Sequence, residues 1–416
     1  MSELALPEGW VSSSIGNVNT YKSKNITPFD FPNTIFELYS VPIFFSGYPE
    51  ILEGKEIGSS KSMVEKDDVL ICKINPRINR VWIVEDCTEH ENIASSEWIV
   101  FRQPLLNPKF MKYYYQSLGF RDKLCADVSG VGGSLTRAKP REVANYLLPI
   151  ASITEQNIIS RLLDEHLTTV SQIQARLDAI PKLIEKFRQS VLNDAVSGRL
   201  TEDSVNFNSM TLGDLIYLQY GKGLPAKNRS GEGYPVYGSN GEVGRHQKYY
   251  TEGPFIIVGR KGSFGEITWS SESGWAIDTA YFVELRKQDD LKFIYYLLQT
   301  LELNTLNRST AIPGLNRNDA YSQPVRIPGI EDQRRIVKLI EKYFTYIDQI
   351  EKSVVTAKAR VDYLTQSILH QAFTGNLTAE WREQNPDLIS GENSAEALLA
   401  KIKAEKQGSG KKVKNV

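Results

Sequence analysis

Residues 150–202 read IASITEQNIISRLLDEHLTTVSQIQARLDAIPKLIEKFRQSVLNDAVSGRLTE, and residues 327–379 read IPGIEDQRRIVKLIEKYFTYIDQIEKSVVTAKARVDYLTQSILHQAFTGNLTA. The two stretches align without a gap at a constant offset of 177 residues, and 15 of the 53 aligned positions are identical. Gln156 matches Gln333 near the start of the repeat. An internal repeat of this length indicates two similar halves and predicts a molecule with a pseudo-two-fold axis.

Apolar residues inside each copy recur in alternating steps of three and four. The positions in the first copy are Leu163, His166, Val170, Ile173, Leu177, Ile180, Ile184, Phe187 and Val191. The positions in the second copy are Ile340, Tyr343, Ile347, Ile350, Val354, Ala357, Val361, Leu364 and Ile368. Such a heptad seam predicts two long helices that pair as an antiparallel coiled coil, with His166 buried or half-buried on the seam. Core helices of a bundle are the alternative, and the register shared by both copies favours the coiled coil.

Local signals set the expected limits of these helices. The first helix is predicted from Thr154 to Val196, which is about 64 Å at 1.5 Å per residue. Pro181 is expected to kink this helix or to start a second segment. Gly198 and Gly375 follow the last apolar positions, where a left-handed C-terminal cap is expected.

The blocks outside the repeat have a different composition. Residues 1–149 and about 206–326 are rich in Tyr, Phe, Gly, Pro and Asn, and turn signals separate their short β-like runs. These runs are Asp68–Lys73, Trp98–Phe101, Phe255–Val258 and Ala280–Val283. Lys109–Ser117 and Lys292–Thr300 resemble each other and predict a helix in each block. The predicted fold class is therefore α+β, with two mostly-β domains separated by two long helices that pair as an antiparallel coiled coil.

Length and composition narrow the class of protein. A chain of 416 residues exceeds the usual size of one hydrophobic core, so two or more domains are expected. No apolar run reaches the length of a membrane span, and we expect a cytoplasmic protein. The formal charge of −1 removes the simple argument that a strongly basic chain binds nucleic acid, so an anionic partner must be held by local clusters.

Motifs that carry chemistry are missing from the sequence. It has no GxxxxGK[ST] phosphate loop, and the glycine spacing at residues 259–265 is interpreted as a tight turn. It also lacks the Asn/Asp-Pro-Pro-aromatic loop of an amino-methyltransferase, and the acids near Glu50 and Glu53 stand too close together to surround a metal. Cys87 and His90 lack the second pair that a zinc site needs. We therefore expect a non-catalytic chain with no metal site and no cofactor of its own.

Basic side chains nevertheless concentrate in a few segments. Lys109–Arg141 holds seven basic residues against two acids, and Lys73–Arg80 and Asn304–Asn318 hold no acid. Arg and Lys neutralise phosphates, and Asn and Ser match base edges in the major groove. A solvated mixed surface explains any single cluster equally well, but clusters in both halves of a repeat favour DNA binding. The candidate DNA contacts are Lys73, Asn75, Arg77, Arg80, Arg121, Lys123, Arg137, Lys139, Asn240, Arg245, Arg260, Lys261, Arg308, Asn316 and Arg317.

Several motifs resemble one known family. They are Leu6-Pro-Glu-Gly-Trp10, Tyr234-Pro-Val-Tyr-Gly-Ser-Asn-Gly241, Ala311-Ile-Pro-Gly-Leu315 and the tail segment from Leu377 to Asn393. The layout resembles the specificity subunit of type I restriction-modification systems (HsdS), and the tail is similar to the K-12-type subgroup of enteric bacteria. The resemblance covers nearly the whole chain. One departure is Val131-Gly-Gly-Ser-Leu135, which replaces the usual small-Ile-Pro-Gly-Leu form and leaves the turn geometry there open.

The resemblance implies an organisation and a function in host defence. The implied segments are a target recognition domain at 1–149, a central conserved spacer at 150–205, a second recognition domain at 206–326, a C-terminal conserved spacer at 327–380 and a tail at 381–416. Each recognition domain is then expected to read one half of a bipartite DNA target. The target should be asymmetric because the two blocks differ in sequence. A stiff coiled coil would hold the two readers about 34 Å apart, one helical turn of the duplex.

Partners and cofactors also follow from the resemblance. Two methyltransferase subunits are expected to grip the helical spacer, and restriction subunits with an ATP-driven translocase and nuclease are expected to join them. These partners would use S-adenosylmethionine, ATP and Mg²⁺. In the tail, Ala395, Leu398, Leu399 and Ile402 lie at helical spacing before a basic end, and we expect an amphipathic helix that docks on a methyltransferase subunit.

Two functions from other classes compete with this interpretation. A single-chain modification enzyme would need the cofactor loop and base-gripping motif that the sequence lacks. A coiled-coil adaptor that binds only protein would keep the helices but would show no DNA sequence preference. The coiled-coil positions on which either spacer function depends are Leu163, Val170, Ile173, Leu177, Ile184, Ile340, Ile347, Ile350, Val354 and Val361.

Overall fold

The computed structural model describes residues 6–129, 136–201, 205–306 and 314–411. The chain forms two compact units. Unit 1 runs to Ala175 and resumes at Lys358, and unit 2 comprises Arg176–Ala357. Val131-Gly-Gly-Ser-Leu135 and most of Ala311-Ile-Pro-Gly-Leu315 lie outside the described residues.

The first part of unit 1 is rich in strands. Its strands are β1 (Val11–Ser14), β2 (Asn25–Ile26), β3 (Ile35–Tyr39), β4 (Glu50–Glu53), β5 (Lys61–Met63), β6 (Val69–Cys72), β7 (Val81–Ile83), β8 (Glu91–Ala94), β9 (Trp98–Phe101), β10 (Val128–Ser129), β11 (Arg137–Ala138) and β12 (Leu147–Ile150). Its helices are α1 (Ile15–Val18), α2 (Pro108–Gln116), α3 (Leu118–Ala126), α4 (Pro140–Val143) and the start of α5 (Ile153–Val196). The predicted β runs at Asp68–Lys73 and Trp98–Phe101 are confirmed as β6 and β9.

Two small sheets organise this block. One has the order β2-β5-β8-β3-β4, with β3 and β8 parallel, and the other has the order β7-β6-β9. Every residue of β6 is buried, which explains its continuous apolar sequence. The predicted helix at Lys109–Ser117 is confirmed as α2. Asn107 caps this helix, since its side-chain oxygen accepts a hydrogen bond from the amide of Phe110 at 3.0 Å.

Unit 2 repeats the mixture of strands and short helices. Its strands are β13 (Phe207–Thr211), β14 (Ile216–Tyr220), β15 (Tyr234–Gly238), β16 (Gly241–His246), β17 (Phe255–Gly259), β18 (Ile267–Ser270), β19 (Trp275–Ala276), β20 (Ala280–Leu285) and β21 (Pro324–Pro328). Its helices are α6 (Leu291–Gln299), α7 (Arg317–Tyr321) and the start of α8 (Ile330–Phe373). The main sheet has the order β14-β20-β17-β18, and a smaller one has the order β16-β15-β19. The β runs predicted at Phe255 and Ala280 and the helix predicted at Lys292–Thr300 are confirmed.

The same scaffold occurs in both halves of the chain. In unit 1, β1 pairs antiparallel with β12, and in unit 2 β13 pairs antiparallel with β21, so each block closes just before a long helix. Gln156 accepts a hydrogen bond from the amide of Asn107, the capping residue of α2. Gln333 accepts one from the amide of Asp290, the capping residue of α6. The repeat in the sequence is therefore a repeat in hydrogen bonding.

The two long helices match the prediction closely. Helix α5 is Ile153–Val196, and Gly198 and Gly375 both have the positive φ expected of a left-handed cap. Helix α5 continues through Pro181 without a break, so the alternative that a second segment begins there is wrong.

Each unit contains a section of the helix pair. In unit 2, Leu192 shares a core cluster with Ile336 and Ile340, while Leu177 lines a groove with Val354. Later positions of α5 thus meet earlier positions of α8, which makes the pair antiparallel. In unit 1, Leu163 shares a cluster with Leu369 and Ala372. These contacts agree with the predicted α+β fold and its paired long helices.

The helical seam is narrower than the heptad pattern predicted. One row of positions, spaced by seven, is buried or half-buried: Leu163, Val170, Leu177, Ile184, Ile340, Ile347, Val354 and Val361. The other row is more exposed: Ile173 is 40% exposed, Ile350 is 47% exposed and His166 is exposed, while Ile180, Tyr343 and Ala357 are half-buried. Two paired helices contact each other along one line. An α-helix has 3.6 residues per turn whereas the apolar positions recur every 3.5 residues on average, so these positions rotate by about 20° per heptad away from that line. The alternate row therefore lies nearer the rim of the seam, which corrects the prediction for its exposed members Ile173, Ile350 and His166.

The tail packs against the N-terminal block within unit 1. It contains α9 (Ala379–Gln384) and α10 (Ala395–Lys411), which confirms the predicted amphipathic helix. Its apolar side chains are buried in the same core cluster as Trp10 and Val18, and they are Ala395, Leu398, Leu399 and Ile402. The ammonium group of Lys406 donates to the carbonyl oxygens of Gly16 and Asn19. The chain's own N-terminal block therefore covers this apolar stripe, and docking of the tail on a methyltransferase subunit stays a prediction that would need another face of the tail.

Candidate nucleic-acid interface

In unit 1, the fold brings the predicted DNA contacts of two distant segments together. The turn after β6 contains Lys73, Asn75 and Arg77, and β11 lies beside it. The amide of Ala138 donates to the carbonyl of Lys73, and the amide of Asn75 donates to the carbonyl of Thr136, both at 2.8 Å. Arg77 and Lys139 are exposed next to these backbone contacts. Asn75 has a positive φ of 48°, which asparagine tolerates better than most residues.

Helix α3 adds Arg121 and Lys123 to the same region. The helix packs against the turn at Pro76–Ile78, and the side-chain amide of Asn79 donates to the carbonyl of Gln116 at 3.0 Å. Lys123 is exposed, and the Nε atom of Arg121 lies 3.9 Å from the Oδ1 atom of Asp122. In the first block, a turn, a short strand and a helix that carry basic residues thus contact one another.

Two arginine side chains of this region already bind other groups of the protein. Arg137 makes two hydrogen bonds to the carboxylate of Glu97, at 3.2 and 3.1 Å. Arg80 points inward to the carbonyl of Ile74 at 3.4 Å and lies 5.8 Å from the ring of Phe45. Reading DNA with either arginine would compete with these contacts.

In unit 2, strand order places three chain segments at one edge of the main sheet. Strands β14 and β17 both run antiparallel to β20, so Tyr220 and Gly259 both lie opposite its first residues. Arg260 follows directly, and the amide of Leu315 donates to its carbonyl at 2.9 Å. Arg317 begins α7 at the same edge and donates to the carbonyl of Leu218 at 3.3 Å.

An aromatic pair lies under the two arginines. The guanidinium carbons of Arg260 and Arg317 lie 4.7 and 4.4 Å from the ring centre of Tyr220. The Tyr220 ring lies 5.2 Å from the buried ring of Tyr281, whose hydroxyl donates to the carbonyl of Leu315 at 3.1 Å. Burial raises the pKa of the Tyr281 hydroxyl, so the Tyr281 side chain beneath Tyr220 stays neutral.

The remaining candidates of unit 2 differ in position. Lys261 pairs with Gly314 in an isolated bridge, Asn316 caps α7 by accepting from the amide of Asn318, and Asn240 is exposed in the turn between β15 and β16. Arg245 lies towards the other end of that hairpin, where it pairs with Glu242 at 3.1 Å and with the carbonyl of Gly233 at 3.0 Å. Arg308 lies outside the described residues.

Sequence reasoning missed two aromatic side chains of these regions. Tyr220 is 47% exposed between two arginines, and Phe45 is 76% exposed beside Arg80. No local motif marks either one, because their neighbours come from other strands and loops. The structural signal that reveals them is an exposed aromatic side chain in contact with an arginine that is distant in the sequence.

The described ranges lack the features of several other kinds of site. There, no group of three or more His, Cys, Asp or Glu side chains is placed to hold a metal ion. Burial raises the pKa of the Cys72 thiol, which favours its unreactive neutral form. No helix in the described part of the chain combines the length and apolar character needed to cross a membrane.

Comparison with known proteins identifies the family. The family described as "Type I restriction modification DNA specificity domain" matches residues 204–357. The type I restriction enzyme EcoKI specificity subunit of Escherichia coli K12 is 29% identical over 461 aligned positions, covering 99% of this chain and 98% of that protein. The StySPI specificity subunit of Salmonella potsdam is 32% identical over 345 positions, which cover 74% of each protein. The chain therefore belongs to the type I restriction enzyme specificity subunits, and its role is recognition of a DNA target.

Solved structures share the fold. A chain from a study of complex assembly and conformational transition of the type I R-M system superposes with a TM-score of 0.74 at 18% identity, covering 88% of this chain and 98% of that one. The HsdS subunit of Thermoanaerobacter tengcongensis gives a TM-score of 0.62, also at 18% identity, over 89% and 98%. The predicted resemblance to HsdS and the predicted arrangement of sheet-rich domains and long helices are confirmed.

Proposed function

We propose that this chain is a non-catalytic subunit in which each sheet-rich block reads one half of a bipartite DNA target. The observation that supports this proposal most strongly is the repeated scaffold, in which Gln156 and Gln333 anchor equivalent short helices to equivalent long helices. Because the scaffold occurs twice, each block presents its DNA-binding surface in an equivalent position relative to its own long helix. The loops differ in sequence, so the two half-sites should differ and the target should be asymmetric. The proposed domain limits remain 1–149 and 206–326.

We propose further that the paired helices fix the distance between the half-sites. The antiparallel contacts within each unit support a stiff pair, including the ion pair from Arg188 to Asp348 at 2.6 Å in unit 2. A separation of about one helical turn, roughly 34 Å, would let both readers address one face of the duplex.

Methyltransferase subunits are the proposed partners of the long helices. The rim row of the seam leaves apolar side chains exposed, and in unit 2 Leu177, Tyr346, Ile350 and Val354 line a groove. Exposed apolar surface of this kind is typical of a protein interface. We propose two such subunits, with restriction subunits joining them in the cytoplasm, and we assign S-adenosylmethionine, ATP and Mg²⁺ to these partners rather than to this chain.

The proposal is tested by gel-shift titration of the complex reconstituted with its modification subunits. Replacing the loops Lys73–Arg80 and Asn304–Asn318 with Gly/Ser sequences of equal length should abolish sequence preference, and each lost base contact should cost about 1 to 3 kcal/mol of discrimination. A matched replacement of the exposed segment 286–288, which lies outside both loops, should leave the preference unchanged. If the sequence preference of the complex were unchanged after both loop replacements, it would reside in other subunits, and this chain would be the protein-binding adaptor instead.

A further inference from the structure

Tyr220 forms the centre of a three-residue cluster in unit 2. Arg260 and Arg317 place their guanidinium groups within 4.7 and 4.4 Å of its ring centre, and almost half of the Tyr220 side chain is exposed. Cations over an aromatic face are attracted by the ring quadrupole, so one ring can hold both guanidinium groups at the surface.

Backbone contacts fix both arginines in this place. One nitrogen of Arg260 donates to the carbonyl of Asp278 at 2.9 Å, and one nitrogen of Arg317 donates to the carbonyl of Leu218 at 3.3 Å. Each guanidinium group has five N–H donors, so several donors of each remain for another acceptor. A planar group with fixed orientation loses little entropy when it binds, which favours a bidentate contact.

Within the described ranges, no carboxylate forms an ion pair with either of the two positive charges of the cluster. Among the described residues, neither Arg260 nor Arg317 forms an ion pair within 4.0 Å. Arg137 of the first block differs, because it is paired with Glu97. Two like charges on one ring repel each other, and a group with two acceptor atoms would replace this repulsion by attraction.

We propose that Tyr220, Arg260 and Arg317 together form the principal DNA contact of the second recognition domain. The group recognised presents adjacent acceptor atoms, as a phosphate or the O6 and N7 edge of a guanine does. Tyr220 acts as a positioning residue that holds both guanidinium groups. This assignment rests on the proposed function, and it adds a residue and a pairing that the basic clusters in the sequence do not reveal.

A second arginine–tyrosine stack provides the control. Tyr217 is also exposed on β14, and the guanidinium carbon of Arg286 lies 3.6 Å from its ring centre. Tyr217 and Tyr220 are three residues apart in one strand, so their side chains point to opposite faces. Only one arginine lies over Tyr217 among the described contacts, and we assign it no role in DNA binding.

The test uses the full chain in complex with its modification subunits, on the target sequence found by methylation mapping. DNA affinity is measured by fluorescence anisotropy at several salt concentrations for Arg260→Gln, Arg317→Gln and Tyr220→Leu, with Arg286→Gln and Tyr217→Leu as matched controls. Each cluster variant should lose about tenfold in affinity or more, and each control less than about twofold. Thermal unfolding verifies that the variants fold, and if Tyr220→Leu does not, the two arginine variants decide.

The outcomes separate the possible acceptors and the possible failures. A loss equal for all DNA sequences, with a salt slope smaller by about one, identifies a phosphate. A loss confined to the target, with relaxed preference at one base pair, identifies a guanine. Cluster variants that bind like the unaltered protein, or controls that lose as much, overturn the assignment. Absence of any sequence preference in the unaltered complex would instead contradict the proposed function itself.

Discussion

Arg382 and Glu155 form a buried ion pair in unit 1 across 227 residues of sequence. A guanidinium nitrogen of Arg382 donates to a carboxylate oxygen of Glu155 at 2.7 Å, and the indole of Trp10 and the hydroxyl of Thr378 donate to the same carboxylate. The pair thereby joins the N-terminal block, the start of α5 and the tail. In the second half of the repeat, Asp332 occupies the position of Glu155 and pairs near the surface with Arg335 at 3.8 Å. The buried version is thus specific to the half that the tail completes.

Removing one partner of this pair should strongly destabilise unit 1. Arg382→Met leaves the Glu155 carboxylate buried without its cation, and such a change costs about 3 to 5 kcal/mol. Urea unfolding followed by tryptophan fluorescence measures the loss. Arg199→Met is the control, because its pair with Asp194 is at the surface and should contribute about 1 kcal/mol or less. Equal effects of the two substitutions would contradict the assigned difference in burial.

The tail helix should behave as part of the core of unit 1. Ile402→Ala removes a fully buried side chain and should cost about 2 to 5 kcal/mol of unfolding free energy. Lys403→Ala, at the exposed neighbouring position, should change stability by less than about 0.5 kcal/mol. If Ile402→Ala left stability unchanged while weakening subunit assembly, the stripe would be a partner interface after all.

The repeated glutamines should stabilise the two halves in the same way. Gln333→Ala leaves the amide of Asp290 and the carbonyl of Pro328 without their partner and should cost about 1 to 3 kcal/mol. Hydrogen exchange should show faster exchange at the start of α6. Gln349→Ala changes an exposed repeat position and should leave exchange at α6 unaltered. Uniformly faster exchange across unit 2 would argue against a local capping role.

A carboxylate on α5 gives a small dependence of stability on pH. Burial opposes ionisation of Asp164, but hydrogen bonds from Lys109 and Tyr113 hold the pKa of this carboxyl below its ordinary value. A lowered pKa in the folded state adds stability above the unfolded value near 4, and this stability disappears as the pH falls through the folded pKa. Asp164→Asn should therefore be less stable than the unaltered protein at pH 7, by about 1 kcal/mol or less, and nearly equal to it at pH 2.5. A difference independent of pH would contradict the assigned ionisation.

The length of the helix pair should determine the spacing of the DNA target. One heptad inserted into both α5 and α8 adds about 10.5 Å, which corresponds to about three base pairs of duplex. Methylation mapping should then give the same half-sites with a spacer about three base pairs longer. A heptad inserted into α5 alone is the control and should impair recognition without giving a new spacer. An unchanged spacer after the double insertion would show that the helices do not set it.

Features with a local cause could be predicted from the sequence. The heptad pattern and the glycines at 198 and 375 depend on neighbouring residues in one helix, and the predicted start of α5 at Thr154 differs from the structure by one residue. The stripe of α10 was predicted for the same reason. Its covering surface was not, because an amphipathic pattern does not identify the element that buries it.

Features that depend on the number or order of neighbouring elements could not be predicted. Ile173 and Ile350 fit the heptad, but a pair of helices covers one of the two seam rows more completely than the other. Arg137 meets the carboxylate of Glu97 only after β11 is placed beside the loop that carries Glu97. Tyr220 meets Arg260 because both β14 and β17 pair with β20, and this strand order is not visible in the sequence.

Genome-wide mapping of methylated adenines in a host that carries the complete system tests the central claim most directly. The account predicts one motif with two different specific halves, separated by a spacer of fixed length and unspecified sequence. Exchange of residues 206–326 for the corresponding block of a relative should change one half of that motif and leave the other unchanged. A single uninterrupted motif, or methylation without any dependence on this chain, would contradict the account.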